Sequence, residues 1–492
     1  MIEGHPADAP AVISRGKRTT YGGLRDQVAH LRGGLVGLGL DPGDRVGIVC
    51  ANNWYFVVSY LSILGAGLVA VPLNPLSPPR ELERELADIG ARVVIVGPSG
   101  SQSVARLNRS HCPALDQVVA PRRDDAAGAV ALEDLLESAP APMVERAEDD
   151  LAVLVFTSGT AGSPKAAMLS HGNLSANLGQ MLADDPDASV DDVALGVLPP
   201  FHIFGLNVVL GAAFTVGSAV LLIERFDPTS ALEAIEKHGV TTIAGVPTMW
   251  SAWADLGGDG RSQAMGTVRL GTSGAARLPH EVAERVRERF GVTLLEGYGL
   301  TEASPVVTTT MGLDPKPGSI GVPVPDEEVR LVDADGEDVL LGDAGELWVR
   351  GPNVFRGYWN DPEATRSALT ADGWLRTGDM AVVDDDGYLF LVDRAKDLII
   401  VSGFNVYPAE VEEVLLEHPS VEACAVVGVA HPHTGEAVKA FVVVADGRSV
   451  EEDELIDFAA ERLARYKCPE KVMFVDELPL GLAGKVLRRA LR

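Results

Sequence analysis

Three times along the chain, a segment of helical period ends at a glycine and runs directly into a β-rich stretch. Residues 79–89 place Leu82, Leu86 and Ile89 on one face, with Ser77 as the expected N-cap and Pro78 and Pro79 in the first turn; Gly90 stops the helix and RVVIVG follows. Residues 228–238 stop at Gly239 before VTTIAGVP, and residues 279–290 stop at Gly291 before VTLLEGYG. Helices that alternate with strands must cross over and cover the sheets they connect. The pattern therefore predicts helix-covered sheets of mixed or parallel character and excludes an all-α or all-β body.

At 492 residues the chain exceeds what one hydrophobic core supports. Residues 121–147, rich in Asp, Glu, Ala and Pro, are expected to form a surface crossover between two lobes. Past Ser319 the texture changes to short alternating strands, EVRLVD, GELWVRG and GYLFLVD, with Asp-Gly turns at 335–336 and 386–387, which predicts a small β-rich subdomain. From Arg394 onward the pattern is helix 409–417, strands near 423–429 and 438–444, and helix 451–465. The expected organisation is a large α/β N-terminal domain over 1–393, including the β-rich subdomain, and a small mobile α+β domain over 394–492.

Asp and Glu outnumber Lys and Arg by 70 to 41, a net charge of −29 that repels nucleic acid and anionic membrane surfaces. A small-molecule enzyme is expected, with peripheral membrane contact left open and no expectation about oligomeric state. The four cysteines, Cys50, Cys112, Cys424 and Cys468, lie far apart without CxxC spacing, so neither a disulfide framework nor a zinc site is indicated. With an N-terminus that lacks a secretory pattern, a cytoplasmic location is expected. Residues 203–223 run without a charge and are long enough to span a bilayer. They also carry Asn207, Thr215, Ser218 and three glycines, which predicts instead a buried helix, a turn near Gly217 and a buried strand.

The apolar run LAVLVF at 151–156 leads into TSGTAGSPKAAMLSHGN at 157–173. A Walker loop needs GxxxxGK followed by a hydroxyl residue; here Pro164 stands where the glycine belongs and Ala166 where the hydroxyl belongs, so an ordinary P-loop is excluded. The stretch still offers hydroxyls at Thr157, Ser158, Thr160 and Ser163, turning glycines at Gly159 and Gly162, and the charge of Lys165. By itself it reads equally as a phosphate cradle or as a polar turn after a strand.

TSGTAGSPK resembles the phosphate loop of the adenylate-forming superfamily, which contains acyl-CoA synthetases, peptide-synthetase adenylation domains and luciferases. Seven further stretches resemble the family's in the same order: PPFHIFG at 199–205, SGAAR at 273–277, YGLTE at 298–302, WLRTGD at 374–379, DRAKD at 393–397, SGFNVYP at 402–408 and GLAGK at 481–485. The resemblance covers nearly the whole chain. It implies attack of a carboxylate on the α-phosphorus of ATP, loss of pyrophosphate, and then attack of a thiol on the acyl-adenylate with release of AMP.

That resemblance also assigns residues. Thr157, Ser158, Gly159, Thr160, Gly162 and Lys165 would cover the β- and γ-phosphates. Thr301 would contact the α-phosphate and Glu302 would ligate Mg²⁺, a hard cation suited to a carboxylate. Ser273, Gly274 and Ala275 would line the adenine, Tyr298 would stack on it beside Gly299, and Asp379 and Arg394 would grip the ribose. Lys485 would bridge the carboxylate and α-phosphate oxygens as charge develops; the competing reading is a basic tail with Arg488, Arg489 and Arg492. Lys396 falls at the hinge position. His202 would be an aromatic gate near the acyl carbonyl, and Ser402, Gly403, Phe404 and Asn405 would face the pantetheine of coenzyme A.

Five departures stand out: Ala161 for a threonine, Ala166 for a glycine on what is expected to be a tight turn, Arg277 for a proline, Phe404 for a glycine, and Leu482-Ala483 before the final Gly-Lys. None removes a charge that the chemistry requires. The reading that fits best is an ATP-dependent ligase of a fatty or other carboxylic acid to coenzyme A, with the apolar run from Phe204 to Ile223 and the small residues Gly211, Ala212 and Ala213 lining an acyl tunnel. The alternatives are an acyl-AMP ligase that loads a carrier protein and, from a different class, a silent adenylate-binding protein.

Overall fold

The computed structural model describes the chain except residues 158–163, 257–262, 315, 395, 396, 398, 402, 403, 432–434, 464, 481–485 and 492; of residues 393, 394, 400, 404, 405, 435 and 489 it describes the backbone alone. Two compact units emerge, Met1–Glu328 with Val349–Leu375, and Val329–Trp348 with Arg376–Arg492.

The first unit holds two large sheets. One runs in the order Val130–Ala131, Gln117–Ala120, Val93–Val96, Arg45–Val49, Val69–Leu73, Leu151–Thr157, Lys165–Ser170. All its neighbours are parallel except the last pair, which is antiparallel. Strands buried on both faces read as continuous apolar runs, as VVIV does at 93–96, where every residue is buried. The other sheet has nine strands, with the parallel series Leu294–Gly299, Leu270–Ser273, Thr242–Gly245, Val193–Gly196, Ala219–Leu222, Pro10–Ser14 at its centre and antiparallel strands at both edges.

The expected helix–glycine–strand units are present. Pro79–Asp88, Pro228–His238 and His280–Phe290 are helices, and Gly90, Gly239 and Gly291 follow at φ of +59°, +62° and +72°. That left-handed backbone suits a residue without a Cβ. One detail differs. Pro78, not Ser77, holds the N-cap position of the first of these helices, and no side chain caps it; Ser77 is buried. Asp227 and Ser170 do cap their helices, the latter in a reciprocal box with Asn173.

Residues 121–147 depart from the expected crossover. Val130–Ala131 adds an edge strand to the seven-stranded sheet, and the helix Leu132–Leu136 buries Leu135 against Gly34 of the helix Tyr21–Gly37. The acidic composition reflects the solvent side of a segment whose leucines join the body.

Residues 203–223 fold as predicted for a buried segment. Phe204–Gly211 is π-helical, Ala212–Val216 continues as α-helix, Gly217 turns at φ +90°, and Ala219–Leu222 is a buried strand. Among the described residues, no helix is long and apolar enough to cross a membrane.

The second unit contains most of a four-stranded sheet, Glu328–Val332, Gly345–Arg350, Leu375–Val383 and Leu389–Arg394, and a five-stranded sheet built on the long antiparallel pair Val421–His431 and Gly435–Val444. Helices Pro408–Leu416 and Glu452–Ala460 cover the latter, sharing a core that includes Val411, Leu415, Val426, Val442, Leu455 and Ala459. The second helix ends at Ala460, short of the expected 465, where a 3₁₀ turn begins. The expected fold class is thus present: helix-covered parallel and mixed sheets, a β-rich piece, and a small α+β piece.

Candidate active site

The stretch 157–165 joins two antiparallel strands. Thr157 ends Leu151–Thr157 and pairs with Lys165, the first residue of Lys165–Ser170, and the Thr157 hydroxyl donates to the Lys165 carbonyl at 3.3 Å. A Walker loop leads into a helix; this one leads back along its own sheet, which agrees with its failure as a Walker sequence. Ser158, Gly159, Thr160, Gly162 and the Ala161 departure lie outside the described residues. Ala166 is not on a tight turn: it sits within the second strand, opposite Phe156, and its methyl is buried in the core of the seven-stranded sheet. The methyl adds packing there.

Lys165 is partly exposed, its Nζ 3.9 Å from Asp361 Oδ2 and 5.3 Å from the centre of the Tyr358 ring. The Tyr358 hydroxyl donates to Glu302 Oε1 at 2.7 Å. Burial and the adjacent Glu302 carboxylate both push the phenol's pKa up, so Tyr358 remains a donor. A cation and a carboxylate from segments far apart in sequence are thus joined through one ring.

Glu302 lies in the 3₁₀ turn Thr301–Ala303, after the strand Leu294–Gly299. The turn is tight. A Cβ on Gly299 would collide with the Pro305 carbonyl, so the position requires glycine. A buried amide network holds the turn from behind. Asn353 donates to the carbonyls of Ala303 at 2.9 Å and Val306 at 3.2 Å. The Ser304 hydroxyl donates to the Asn353 carbonyl at 2.7 Å, and Asn177 exchanges hydrogen bonds with the Val306 backbone. Asn207, on the π-helix, donates to the Ser304 carbonyl at 2.8 Å. Glu327 lies beside the Asn353 and Gln180 amides in the same interior, and burial raises its carboxyl to about 8.

Ser273 ends the strand Leu270–Ser273 and is buried, its hydroxyl without a hydrogen-bond partner among the described residues. Gly274 donates to the Gly245 carbonyl at 3.2 Å, and a Cβ there would stand 3.3 Å from the Phe204 ring. Ala275 adopts φ +67°, a conformation few non-glycine residues hold. Tyr298 is buried on the neighbouring strand. Glu296, two residues before it, is raised to about 7 by burial, opposed by the Leu278 N–H and by Arg277.

His202 lies two residues ahead of the π-helix. Its Nε2 is buried without a hydrogen-bond partner among the described residues, and burial pushes the imidazole's pKa down, so it is neutral near pH 7. Phe201 tilts against it at 4.7 Å. Along the π-helix and the turn after it, Phe204, Val208 and Ala212 keep partial exposure while most of the intervening residues are buried. Gly211 differs from its expected role, because it packs against Leu178 of the helix His171–Ala183, and its small size serves helix packing. Ala213 is likewise buried.

In the second unit, Asp379 is buried and pairs across the antiparallel ladder with Arg394. Two residues fifteen positions apart in sequence are therefore direct cross-strand neighbours at the backbone. The Arg394 side chain, Lys396, Ser402, Gly403, the Phe404 and Asn405 side chains, and Lys485 with Leu482 and Ala483 lie outside what is described. The flanks of 481–485 are described, with Leu480 bridging Val486 and the Leu487 N–H donating to the Pro479 carbonyl at 2.7 Å. Arg488 is no free basic tail: it binds both oxygens of Glu412 at 2.8 and 2.9 Å and lies 3.7 Å from Asp397.

Sequence reasoning missed Tyr358 and Asn353. Asn207 alone left a signal, as an amide inside an uncharged run. Among the described residues no group of three or more His, Cys, Asp or Glu side chains is placed to hold a metal. A single half-buried carboxylate fits a cation such as Mg²⁺, which keeps water and takes phosphate oxygens as its other ligands.

Comparison with known proteins gives a consistent picture. A family model described as AMP-binding enzyme matches residues 2–359, and one described as AMP-binding enzyme C-terminal domain matches residues 410–485. The chain is 41% identical over 486 residues to a feruloyl-CoA synthase from Amycolatopsis sp, covering 98% of this chain and 95% of that protein. It is 37% identical over 522 residues to a long-chain-fatty-acid–CoA ligase from Escherichia coli O157:H7, covering 99% and 92%. The crystal structure of ATP-bound MatB from Rhodopseudomonas palustris superposes with a TM-score of 0.90 at 33% identity, covering 99% and 95%.

Proposed function

We propose, for a chain that belongs to the AMP-binding enzyme family and is an AMP-forming acid–CoA ligase, that its acid is an apolar monocarboxylate, in the first reading a fatty acid. In the first half-reaction a carboxylate oxygen attacks the α-phosphorus of ATP and the α–β bridging P–O bond breaks, releasing pyrophosphate. In the second, the coenzyme A sulfur attacks the acyl carbon, the thiol proton is lost, and AMP leaves with the bonding pair.

The single observation that carries the adenylation chemistry is the chain of contacts Lys165–Tyr358–Glu302. It sets a cation at the end of the phosphate hairpin beside a carboxylate suited to Mg²⁺. When bound, the metal would neutralise phosphate charge; Glu302 would hold it and Thr301 would donate to the α-phosphate. Thr157, Ser158, Gly159, Thr160, Gly162 and Lys165 orient the departing phosphates. Ser273, Gly274, Ala275, Tyr298 and Gly299 hold the adenine, and Asp379 with Arg394 the ribose. Lys485 stabilises the charge that develops between carboxylate and α-phosphate.

His202, whose imidazole burial makes a weaker base, acts as an aromatic gate beside the acyl carbonyl and not as a general base. Residues 394–492 are proposed to rotate about Lys396 between the half-reactions, bringing Ser402, Gly403, Phe404 and Asn405 to the pantetheine. The partly exposed stripe Phe204, Val208, Ala212 supports an apolar acid.

A second reading, a hydroxycinnamic acid, is favoured by the 41% identity to a feruloyl-CoA synthase. Pyrophosphate release, screened over short, medium and long fatty acids and cinnamic acids with and without coenzyme A, separates the two. Higher kcat/KM with a C8–C16 acid supports the first reading, and higher kcat/KM with a cinnamic acid replaces it with the second. Adenylate that forms but yields no thioester with coenzyme A, while loading a carrier protein, would overturn both.

A further inference from the structure

The segment 355–361 touches both halves of the proposed phosphate site, although no sequence motif drew attention to it. It runs beside the second strand of the phosphate hairpin. The Arg356 N–H donates to the Met168 carbonyl, the Met168 N–H to Gly357, and the Trp359 N–H to Ala166, all at 2.8–2.9 Å. From its other side it reaches the Thr301–Ala303 turn twice. The Phe355 N–H donates to the Glu302 carbonyl at 2.8 Å, and the Tyr358 hydroxyl donates to Glu302 Oε1 at 2.7 Å.

Tyr358 itself is fixed at several points. Its N–H donates to the Thr365 hydroxyl at 2.9 Å, its ring meets Phe355 edge-on at 5.0 Å, and its backbone bridges Ala167. Gly357 before it adopts φ +110°, and a Cβ there would press on Thr365 at 2.5 Å. A phenol held this firmly can restrict the orientation of the carboxylate it touches. Accepting one phenol hydrogen bond uses only one of roughly four lone-pair sites on a carboxylate. A hydroxyl donor to an ionised oxygen is among the stronger hydrogen bonds.

We propose that Tyr358 is a positioning residue for Glu302, orienting its carboxylate for the divalent cation that enters with ATP, while its ring supports Lys165. The proposal rests on the reading of Glu302 as the metal ligand. Partners that orient a metal ligand typically change metal affinity about 10–100-fold when removed.

The test is Mn²⁺ binding to the intact protein in the presence of ATP, followed by electron paramagnetic resonance, for the parent, Tyr358→Phe and Glu302→Gln. Tyr358→Phe keeps the ring under Lys165 and loses only the hydroxyl. It should weaken Mn²⁺ binding about 10-fold and raise the apparent KM for Mg²⁺ similarly. The KM for ATP at saturating Mg²⁺, the kcat there and the thermal midpoint should stay close to the parent's. Tyr358→Leu should in addition raise the KM for ATP. If Glu302→Gln weakens Mn²⁺ binding and Tyr358→Phe does not, the positioning role is overturned and the reading of Glu302 stands. If Glu302→Gln binds Mn²⁺ like the parent, that reading falls and the positioning role falls with it. A Tyr358→Phe variant that loses kcat with an unchanged KM for Mg²⁺ also overturns the proposal.

Discussion

The Thr301–Glu302 turn and the segment flanking residues 481–485 are held by opposite chemistries. The turn is fixed by neutral amides, Asn353, Asn177 and Asn207, reaching buried backbone carbonyls. The C-terminal flank is fixed by charge, Arg488 on Glu412 and Asp397, with Lys467 bound to both oxygens of Glu410 nearby in the same unit. Neutral hydrogen bonds in a dry interior are short-ranged and indifferent to salt, so they suit a loop that keeps one geometry. Ion pairs act over a longer range and answer to salt. They suit a segment whose lysine is proposed to serve only one of two half-reactions.

Lys485→Ala gives the largest effect expected from this contrast. It should lower the rate of adenylate formation by about 10²–10³, the usual loss on removing one preorganised donor from a developing charge. Thioester formation from supplied acyl-adenylate should change little. Equal loss in both half-reactions, measured by pyrophosphate release and by consumption of the adenylate, would break the assignment of the two regions to separate duties.

Asn353→Ala comes next. It strips the Asn353 donor from the buried Ala303 carbonyl and leaves the Val306 carbonyl to Asn177 alone among the side-chain donors described, and should cost about 1–3 kcal/mol of stability. Urea unfolding at low and high salt should give the same loss; a strong salt dependence would contradict the neutral character of the network.

Glu327 sharpens the comparison through pH. Its folded value of about 8 lies above that of the unfolded chain, so the folded protein binds a proton that the unfolded one has already released. Its contribution therefore makes stability fall as pH rises from about 4.5 to about 8 and level off beyond. Glu327→Gln should match the parent near pH 5 and exceed it by about 1–2 kcal/mol at pH 8.5, flattening the profile. A variant whose profile keeps the parent's slope would show that the carboxyl is not held neutral.

Arg488→Gln is the smallest change. The partly buried ion pair should be worth about 1 kcal/mol to the second unit, less at 0.5 M salt. Hydrogen exchange in the helix Pro408–Leu416 reports it. Loss of protection that salt leaves unchanged would place the arginine's contribution in packing.

Much of this was legible in the sequence. The helices at 79–88, 228–238 and 280–290 and the strands that follow them were anticipated to within a residue or two, because apolar period, proline entry and glycine exit are local signals. Asp379 and Arg394, assigned by resemblance to one task, are cross-strand neighbours at the backbone. Composition misled at 121–147, where an acidic surface concealed Leu135 and an edge strand. The family resemblance misled at Ala166, which it set on a tight turn in place of a glycine and the hairpin places in a strand.

The sequence by itself determined the layered α/β architecture and the ordered motifs of an acid-activating enzyme, since both are written in neighbouring residues. Only the tertiary structure decided how Glu302 is held. Tyr358 reaches it across 56 residues, and Asn207 reaches Ser304 across 97. A tyrosine or an asparagine carries no mark of the partner it will meet. Which donor satisfies a buried carbonyl or carboxylate is settled when strands and helices pack, because a polar group that loses water must take whatever partner the packing brings.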